Sequence, residues 1–484
     1  MVEPRNRWAW SWMVVGAGLL WLLRAPMLGL VLAVPATGVG AILLAAGVSL
    51  LLWPGDRRAT EWAALFGLVG GGGALVVSIF TLSLPGLVLA ASAFLAAWGV
   101  GRLALALEPP CPDVPAPEPS LALSAKVALD DFVLGYELAI RGRTAERDAI
   151  DRVVGELERC RAHFEREGWL DRPETYHEPP PPLLEPEIQT RRVAGRRVEI
   201  LRFESGYEPH HGEPGRDRWL GYVGCREGFA YVLRHGDADR PWLVCTNGYR
   251  MGTLGIDVRL FARYFDRLGL DVLIPVLPLH GPRRRRFSSG TGFLGLDVVD
   301  TIHAEAQAVW DIRRLLSWIE RQRPSGIGAL GLSLGGYTTA LYTSLADGID
   351  CVIAGIPLAD VSRTLVRHAV SEQLQLALQR GWSLDHARDV LRVVSPLALR
   401  NRVPRDGRLI FGAVADRLVT PDQVHDLWNH WERPEIVWYQ GGHVTFRMER
   451  SVFAAVDRKL RTTGLVRAAT READPVPARE EQHA

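Results

Sequence analysis

The chain has 484 residues, enough for two or three domains with one sizeable core. Its 56 basic and 55 acidic residues leave a formal charge of +1, which gives no reason to expect a nucleic-acid partner. Five cysteines (Cys111, Cys160, Cys225, Cys245 and Cys351) lack Cys-x-x-Cys spacing, and their odd number argues against a disulfide framework. Reduced thiols in the cytoplasm are the expectation.

Residues 1–107 differ in composition from the rest. Four apolar stretches follow one another: Trp8–Leu23, Leu30–Trp53, Trp62–Leu82 and Leu84–Leu107. Runs near 20 residues suit a bilayer core about 30 Å thick. Trp8, Trp10, Trp12, Trp53, Trp62 and Trp98 fall near run ends, where indoles prefer the interface. No clean small-residue cleavage site follows the first run, so a signal peptide does not fit. Arg24 in mid-membrane would cost about 2.5–3.5 kcal/mol, which places it at an interface and gives about four spans. Arg5 and Arg7 precede the first span, Arg57 and Arg58 lie between the second and third, and Arg141, Arg143 and Arg147 follow the fourth. The positive-inside rule then puts both termini, and all that follows the spans, in the cytoplasm of a multi-pass cell-membrane protein. The run Gly70–Gly73 either admits close helix contact or marks a flexible segment.

Residues 108–190 read as a connector. A Pro-rich spacer runs to Pro119, and Glu178-Pro-Pro-Pro-Pro marks a second break. Between them, Leu121–Ile140 and Thr144–Gly168 show helical spacing of apolar residues, with Gly168 as a stop. Their charged faces are expected to be solvated and their apolar faces packed. The tail 466–484 is polar and expected to be disordered.

In residues 191–465, strand-like and helix-like segments alternate, the mark of a mostly parallel sheet. Val198–Phe203 and Gly228–Arg234 read as antiparallel opening strands. Pro241–Thr246, Asp271–Leu277, Gly326–Leu330, Cys351–Ile356, Arg408–Gly412 and Glu435–Tyr439 read as the strands that follow. Helices are predicted over Asp257–Leu268, Thr301–Gln322, Tyr337–Leu345 and Ser451–Leu460. The joint at Gly331-Leu332-Ser333-Leu334-Gly335-Gly336 has the G-x-S-x-G pattern of a nucleophile elbow. A strained turn there demands small neighbours two positions from the serine, and sets its hydroxyl at a helix N-terminus. In a chain with 48 glycines the pattern alone is weak.

Context strengthens it. Asp416 follows the strand at Leu409, and Gln440-Gly-Gly-His443 follows the last strand. With this Ser-Asp-His order the chain resembles the α/β-hydrolase superfamily, over residues 191–465. The resemblance implies Ser333 as nucleophile, His443 as general base and Asp416 as the acid that orients it, with Asp360 as an alternative acid. It implies an oxyanion hole from the backbone N–H groups of Leu334 and Tyr249. The loop Asn247-Gly248 stands where the family usually has His-Gly. His280-Gly281-Pro282 resembles the family's His-Gly turn, with His280 structural or lining the site. The run Arg283, Arg284, Arg285 and Arg286 is either a solvated loop or a contact for lipid headgroups or an anionic substrate. Residues 360–399, inserted between strands, are expected to form a helical cap. Their apolar positions include Leu365, Val366 and Val370.

His210, His211, His303 and His425 show no metal-ligand spacing, and no Gly-rich phosphate loop is present, so no metal or cofactor is expected. The composite expectation is a membrane-anchored serine hydrolase whose partners are the bilayer and an acyl ester or lipid. Alternatives are a peptidase or thioesterase on soluble substrates, and a non-catalytic membrane scaffold with a hydrolase fold. Oligomeric state is unreadable from the sequence.

Overall fold

The computed structural model describes residues 7–140, 147–236, 239–285, 288–369 and 371–466. Arg5, Arg141, Arg143, Arg286, Val370 and the tail from 467 onward lie outside these, as do the side chains of Arg7 and Arg147.

Four long helices lead the described chain: α1 (Arg7–Arg24), α2 (Leu30–Leu52), α3 (Arg57–Thr81) and α4 (Leu84–Leu107). By length and composition each could cross a membrane. Arg24 is the last residue of α1 and is exposed there. The third helix starts before the apolar run does. The Asp56 carboxylate accepts the N–H groups of Arg58 and Ala59, so the cap draws Arg57, Arg58 and Glu61 into the helix. The helix continues unbroken through Gly70–Gly73. Gly70 and Gly71 lie against Val39 and Phe94, while Gly72 and Gly73 face open space.

Next comes α5 (Leu121–Ile140), which packs across α3 and α4. The approach is close. A Cβ at Gly101 would lie 2.1 Å from the Ser124 carbonyl oxygen, and one at Gly135 would lie 2.4 Å from that of Glu61. The indole N–H of Trp98 donates to Leu121 O at 3.0 Å, tying the first residue of α5 to α4. The helix α6 (Arg147–Glu167) ends, as its sequence predicts, before Gly168, which has φ +75°.

Among the described residues, nine strands form one sheet in the order β1-β2-β3-β5-β4-β6-β7-β8-β9. It opens earlier than the sequence suggests. β1 (Glu187–Val193) pairs antiparallel with β2 (Arg196–Glu204) through a two-residue turn at Ala194 and Gly195, both at positive φ. The short helix α7 (Arg216–Leu220) precedes β3 (Glu227–Leu233), which is antiparallel to both its neighbours. The remaining strands run parallel: β4 (Trp242–Thr246), β5 (Asp271–Val276), β6 (Ile327–Leu332), β7 (Cys351–Gly355), β8 (Arg408–Ala413) and β9 (Glu435–Tyr439). β4 to β8 are buried throughout, as strands covered on both faces must be.

Helices cover both faces. α8 (Leu254–Leu268) follows β4, α9 (Val298–Glu320) follows β5, and α10 (Leu334–Tyr342) follows β6. α11 (Val361–His368), α12 (Ser371–Gln379) and α13 (Leu384–Leu391) lie between β7 and β8. α14 (Pro421–His430) follows β8, and α15 (Arg450–Thr462) follows β9. One core joins α6, α9, α10, α13 and α14 to the sheet, and a second joins α8 and α15 to its other face.

The arginine run after β5 is divided by this core. Arg283 is buried and donates to Val276 O, Cys225 O and, at 2.8 Å, to the Asp311 carboxylate. It belongs to the interior and corrects the expectation of a headgroup or substrate contact at that position. Arg284 and Arg285 are exposed, and the Arg285 guanidinium lies 4.4 Å over the Tyr222 ring. Arg283→Ala leaves Asp311 buried without its cation. It should destabilise the protein by about 3–5 kcal/mol in chemical denaturation, whereas Arg284→Ala should stay within about 0.5 kcal/mol. Equal effects at the two positions would contradict this division.

Candidate functional site

Ser333 joins β6 to α10. Its backbone sits at φ 57° and ψ −117°, a conformation an L-residue avoids unless its surroundings enforce it. The enforcement is visible. Ser333 N–H donates to Gly355 O at 2.9 Å, and Ser333 O accepts from Tyr337 and Leu358. The two flanking glycines have steric causes. A Cβ at Gly331 would fall 2.1 Å from Gly335 O, and one at Gly335 would fall 2.2 Å from Thr246 O. The chain therefore passes through the elbow only with glycine at both positions.

Asp416 lies in the turn after β8 and is fully buried. Its Oδ1 accepts the N–H groups of Leu418 (2.9 Å) and Val419 (2.8 Å), which leaves Oδ2 for His443 Nδ1 at 2.7 Å. His443 lies beyond β9, at the end of a turn fixed by Tyr439 Oη donating to Gly442 O and by Gly442 N–H donating to Thr445 Oγ1. Burial alone would lower the imidazole pKa. The Asp416 charge and hydrogen bond, with a smaller contribution from Asp130, outweigh it and raise the pKa above its usual 6.5.

Asp360 is engaged elsewhere. Its carboxylate caps α11 through Arg363 N–H, accepts from Ser362 Oγ and pairs with Arg363. The partner of His443 Nδ1 is Asp416, so Asp360 does not fill the role of alternative acid. Burial would raise the Asp360 pKa, but Ser362 and Arg363 hold it below the ordinary carboxylate range.

Ser333, Leu334 and Tyr249 line one cavity of about 350 Å³. Leu334 is the first residue of α10, where N–H groups lack intrahelical acceptors. The loop after β4 runs against the elbow, since a Cβ at Gly248 would lie 3.5 Å from Ser333 Cβ. Asn247 beside it is buried with its amide nitrogen and oxygen unpartnered. His280 is buried, with Nδ1 2.9 Å from Pro278 O, and burial pushes its pKa down to about 4.

The cavity walls come from parts of the chain that look unrelated in sequence. α5 supplies Leu134, Glu137 and Leu138, and the segment between β7 and β8 supplies Thr364, Leu365, His368, Ala369 and Gln373. Arg58, in the first turn of α3, also lines it and donates to His368 O and, at 2.7 Å, to Ala369 O. Arg284 and Arg285 do not line it; its arginines are Arg58 and Arg250, the latter held by Glu137 at 2.8 Å.

α5 reaches the site itself. Asp130 and Asp131 are both fully buried, contrary to the expectation of a solvated charged face. Asp131 accepts from Arg417 Nε at 2.9 Å. Asp130 accepts the backbone N–H groups of His443, Val444 and Arg417. Burial and the neighbouring Asp416 raise its pKa to about 7, against a lowering by the His443 charge and by the N–H bonds from His443 and Arg417. The one hint in the sequence is the spacing of Lys126, Asp130 and Glu137, which places three charges on one helical face.

No known protein-family model matches the chain. Among solved structures it is similar to acetyl xylan esterase 1 from Thermoanaerobacterium sp. JW/SL YS485. That likeness has a TM-score of 0.42 at 14% identity, over 62% of this chain and 93% of that one. It is also similar to a puromycin-hydrolyzing peptidase of Mycobacterium tuberculosis, with a TM-score of 0.37 at 17% identity, over 49% of this chain and 38% of that one. In sequence it is 42% identical over 367 residues to Uncharacterized protein MT2702 of M. tuberculosis strain CDC 1551 / Oshkosh, covering 75% of this chain and 87% of the relative. Uncharacterized protein Rv2627c of strain ATCC 25618 / H37Rv matches with the same identity and coverage. By that identity and coverage, this chain belongs to the same family as these two M. tuberculosis proteins.

Proposed function

We propose that the protein is a membrane-anchored serine hydrolase of the α/β-hydrolase type that cleaves carboxylic esters. The observation that carries this reading is the 2.7 Å bond from His443 Nδ1 to buried Asp416, in a chain whose strained Ser333 stands at a helix N-terminus. In the reaction, His443 Nε2 takes the Ser333 proton as Oγ bonds to the carbonyl carbon. The carbonyl oxygen gains the charge and is held by the N–H groups of Leu334 and Tyr249. Asp416 fixes the imidazole tautomer and stabilises the imidazolium. When the C–O bond breaks, the alkoxide leaves with the proton from Nε2. Water then repeats the sequence on the acyl-enzyme and restores Ser333.

Membrane-resident acyl esters are the proposed substrates. Leu134, Leu138, Leu294, Leu296, Leu358, Leu365 and Leu418 make the cavity largely apolar, and Arg58 places it beside the end of a candidate span. The segment 360–399 acts as the cap over it. The catalytic domain lies on the cytoplasmic side, with no metal or cofactor in the reaction. At about 350 Å³ the cavity is near the small end of ligand pockets, which run about 300–1,000 Å³.

Four results should follow. A fluorophosphonate should label the wild type, lose all labelling in Ser333→Ala and label His443→Ala only weakly. An unlabelled, folded wild type would favour a non-catalytic scaffold. Across p-nitrophenyl esters, kcat/KM should rise about fourfold per added methylene until the cavity is full, then fall, since each buried CH₂ contributes about 0.8 kcal/mol. Turnover confined to soluble peptides or thioesters would reject the ester reading. The acid limb of kcat/KM should report a pKa above 6.5, because only neutral His443 can accept the proton. Asp416→Asn should lower kcat by about 10³–10⁴-fold.

A further inference from the structure

One buried carboxylate outside the three proposed catalytic residues touches both loops that carry two of them. Asp130 Oδ2 accepts from His443 N–H at 2.7 Å and from Arg417 N–H at 3.1 Å, while Oδ1 accepts from Val444 N–H at 3.1 Å. Arg417 directly follows Asp416. Gly442 makes room for it: a Cβ there would lie 2.6 Å from the Asp130 carboxylate. Asp130 is not part of the sheet domain. It stands on α5, which is wedged on α3 and α4 at Gly135 and Gly101 and is tied to the β9 loop by Lys126 Nζ donating to Gln440 O at 2.8 Å.

We propose that Asp130 is a positioning residue that sets the Asp416–His443 pair, so that the helices at the membrane end of the chain complete the catalytic machinery of the sheet domain. This rests on the hydrolase reading of Ser333, Asp416 and His443. The physical case is the donor count. Three N–H groups from two separate loops converge on one carboxylate, so the loops keep their spacing only while that carboxylate is in place. An amide cannot substitute, because one of its two polar atoms is a donor and would face another donor. The cluster also has a charge role. Asp416 and His443 face Asp130 from the loops after β8 and β9, Tyr439 faces it from the end of β9, and Asp131 on the same helix is neutralised by Arg417. Where Asp130 is ionised, above about pH 7, its charge joins that of Asp416 in favouring protonated His443, and Asp130→Asn takes it away.

The test uses full-length protein in detergent: wild type, Asp130→Asn, and Gly135→Ala, which pushes α5 off α3 without touching the carboxylate. Fluorophosphonate labelling rates are measured from about pH 5 to 9, alongside ester kinetics and thermal unfolding. Asp130→Asn should lower kcat roughly ten- to a hundredfold with KM little changed. Its acid limb should move down by about half a pH unit or more. A purely structural role would leave that limb in place. Gly135→Ala should slow labelling with Asp130 intact. Folded Asp130→Asn that labels at the wild-type rate with an unmoved limb overturns the proposal. Hydrogen exchange on the wild type needs no variant: the Arg417, His443 and Val444 amides should open together with α5. Their exchange at loop rates while α5 stays protected also overturns it. A wild type that never labels overturns the hydrolase reading instead, and the positioning role falls with it.

Discussion

The structure depends on a cluster of charges buried where α5 meets the loops after β8 and β9. Asp130, Asp131, Asp416, Arg417 and His443 are all buried there. None could be left there alone, since an unpaired buried ion costs several kcal/mol. Each has a partner from another segment: Asp131 has Arg417, Asp416 has His443, and Asp130 has three backbone N–H groups. Docking α5 is therefore obligatory for the sheet domain. Without it Arg417 keeps only its pair with Glu108 and the His443 turn loses its acceptor.

The same reasoning runs outward to the apolar helices. Arg417 also pairs with Glu108, the residue that caps the C-terminus of α4, and Glu108 pairs in turn with Arg367 on α11. Arg58, at the other candidate membrane end, holds the last carbonyls of α11. Cations at a helix C-terminus are favoured by its partial negative charge. The helical segment over the cavity is thus gripped by two groups from the ends of α3 and α4. A motion of that segment would have to break contacts with the apolar bundle, which ties access to the cavity to the packing of those helices.

Much of this was legible in the sequence, and the gaps have physical reasons. The elbow at Ser333 could be read because its steric demand leaves a local mark, two glycines at fixed offsets. The parallel strands could be read because burial on both faces produces unbroken apolar runs. β1 could not be, since its residues are almost all exposed and carry no alternation. The burial of the charged face of α5 is hidden from the sequence for a different reason. Helical periodicity shows which residues share a face, but not whether water or a distant cation lies opposite. The partner of Asp131 is 286 residues away. The arginines from 283 look alike in sequence, yet of the described Arg283, Arg284 and Arg285 only Arg283 turns inward to Asp311. That choice is made by a carboxylate on α9 that no local pattern reveals.

The buried cluster also sets protonation against reaction. Asp130 has a folded pKa near 7, above the 3.8 of a free carboxyl, so the folded state binds its proton more tightly than the unfolded state does. Its stabilising contribution is fully present below the unfolded value and is lost as pH rises through the folded one. His443, raised above 6.5, behaves in the same sense: its contribution is present on the acid side and disappears through its folded pKa. Both groups make the site most stable when protonated. The proposed base catalysis needs the opposite, a neutral imidazole. The pH range in which His443 could accept a proton is thus the range in which its surroundings favour the fold least. The three N–H bonds to Asp130 act in the other direction, because they strengthen as that carboxylate ionises. They hold the two loops together in the protonation state that the proposed reaction would use.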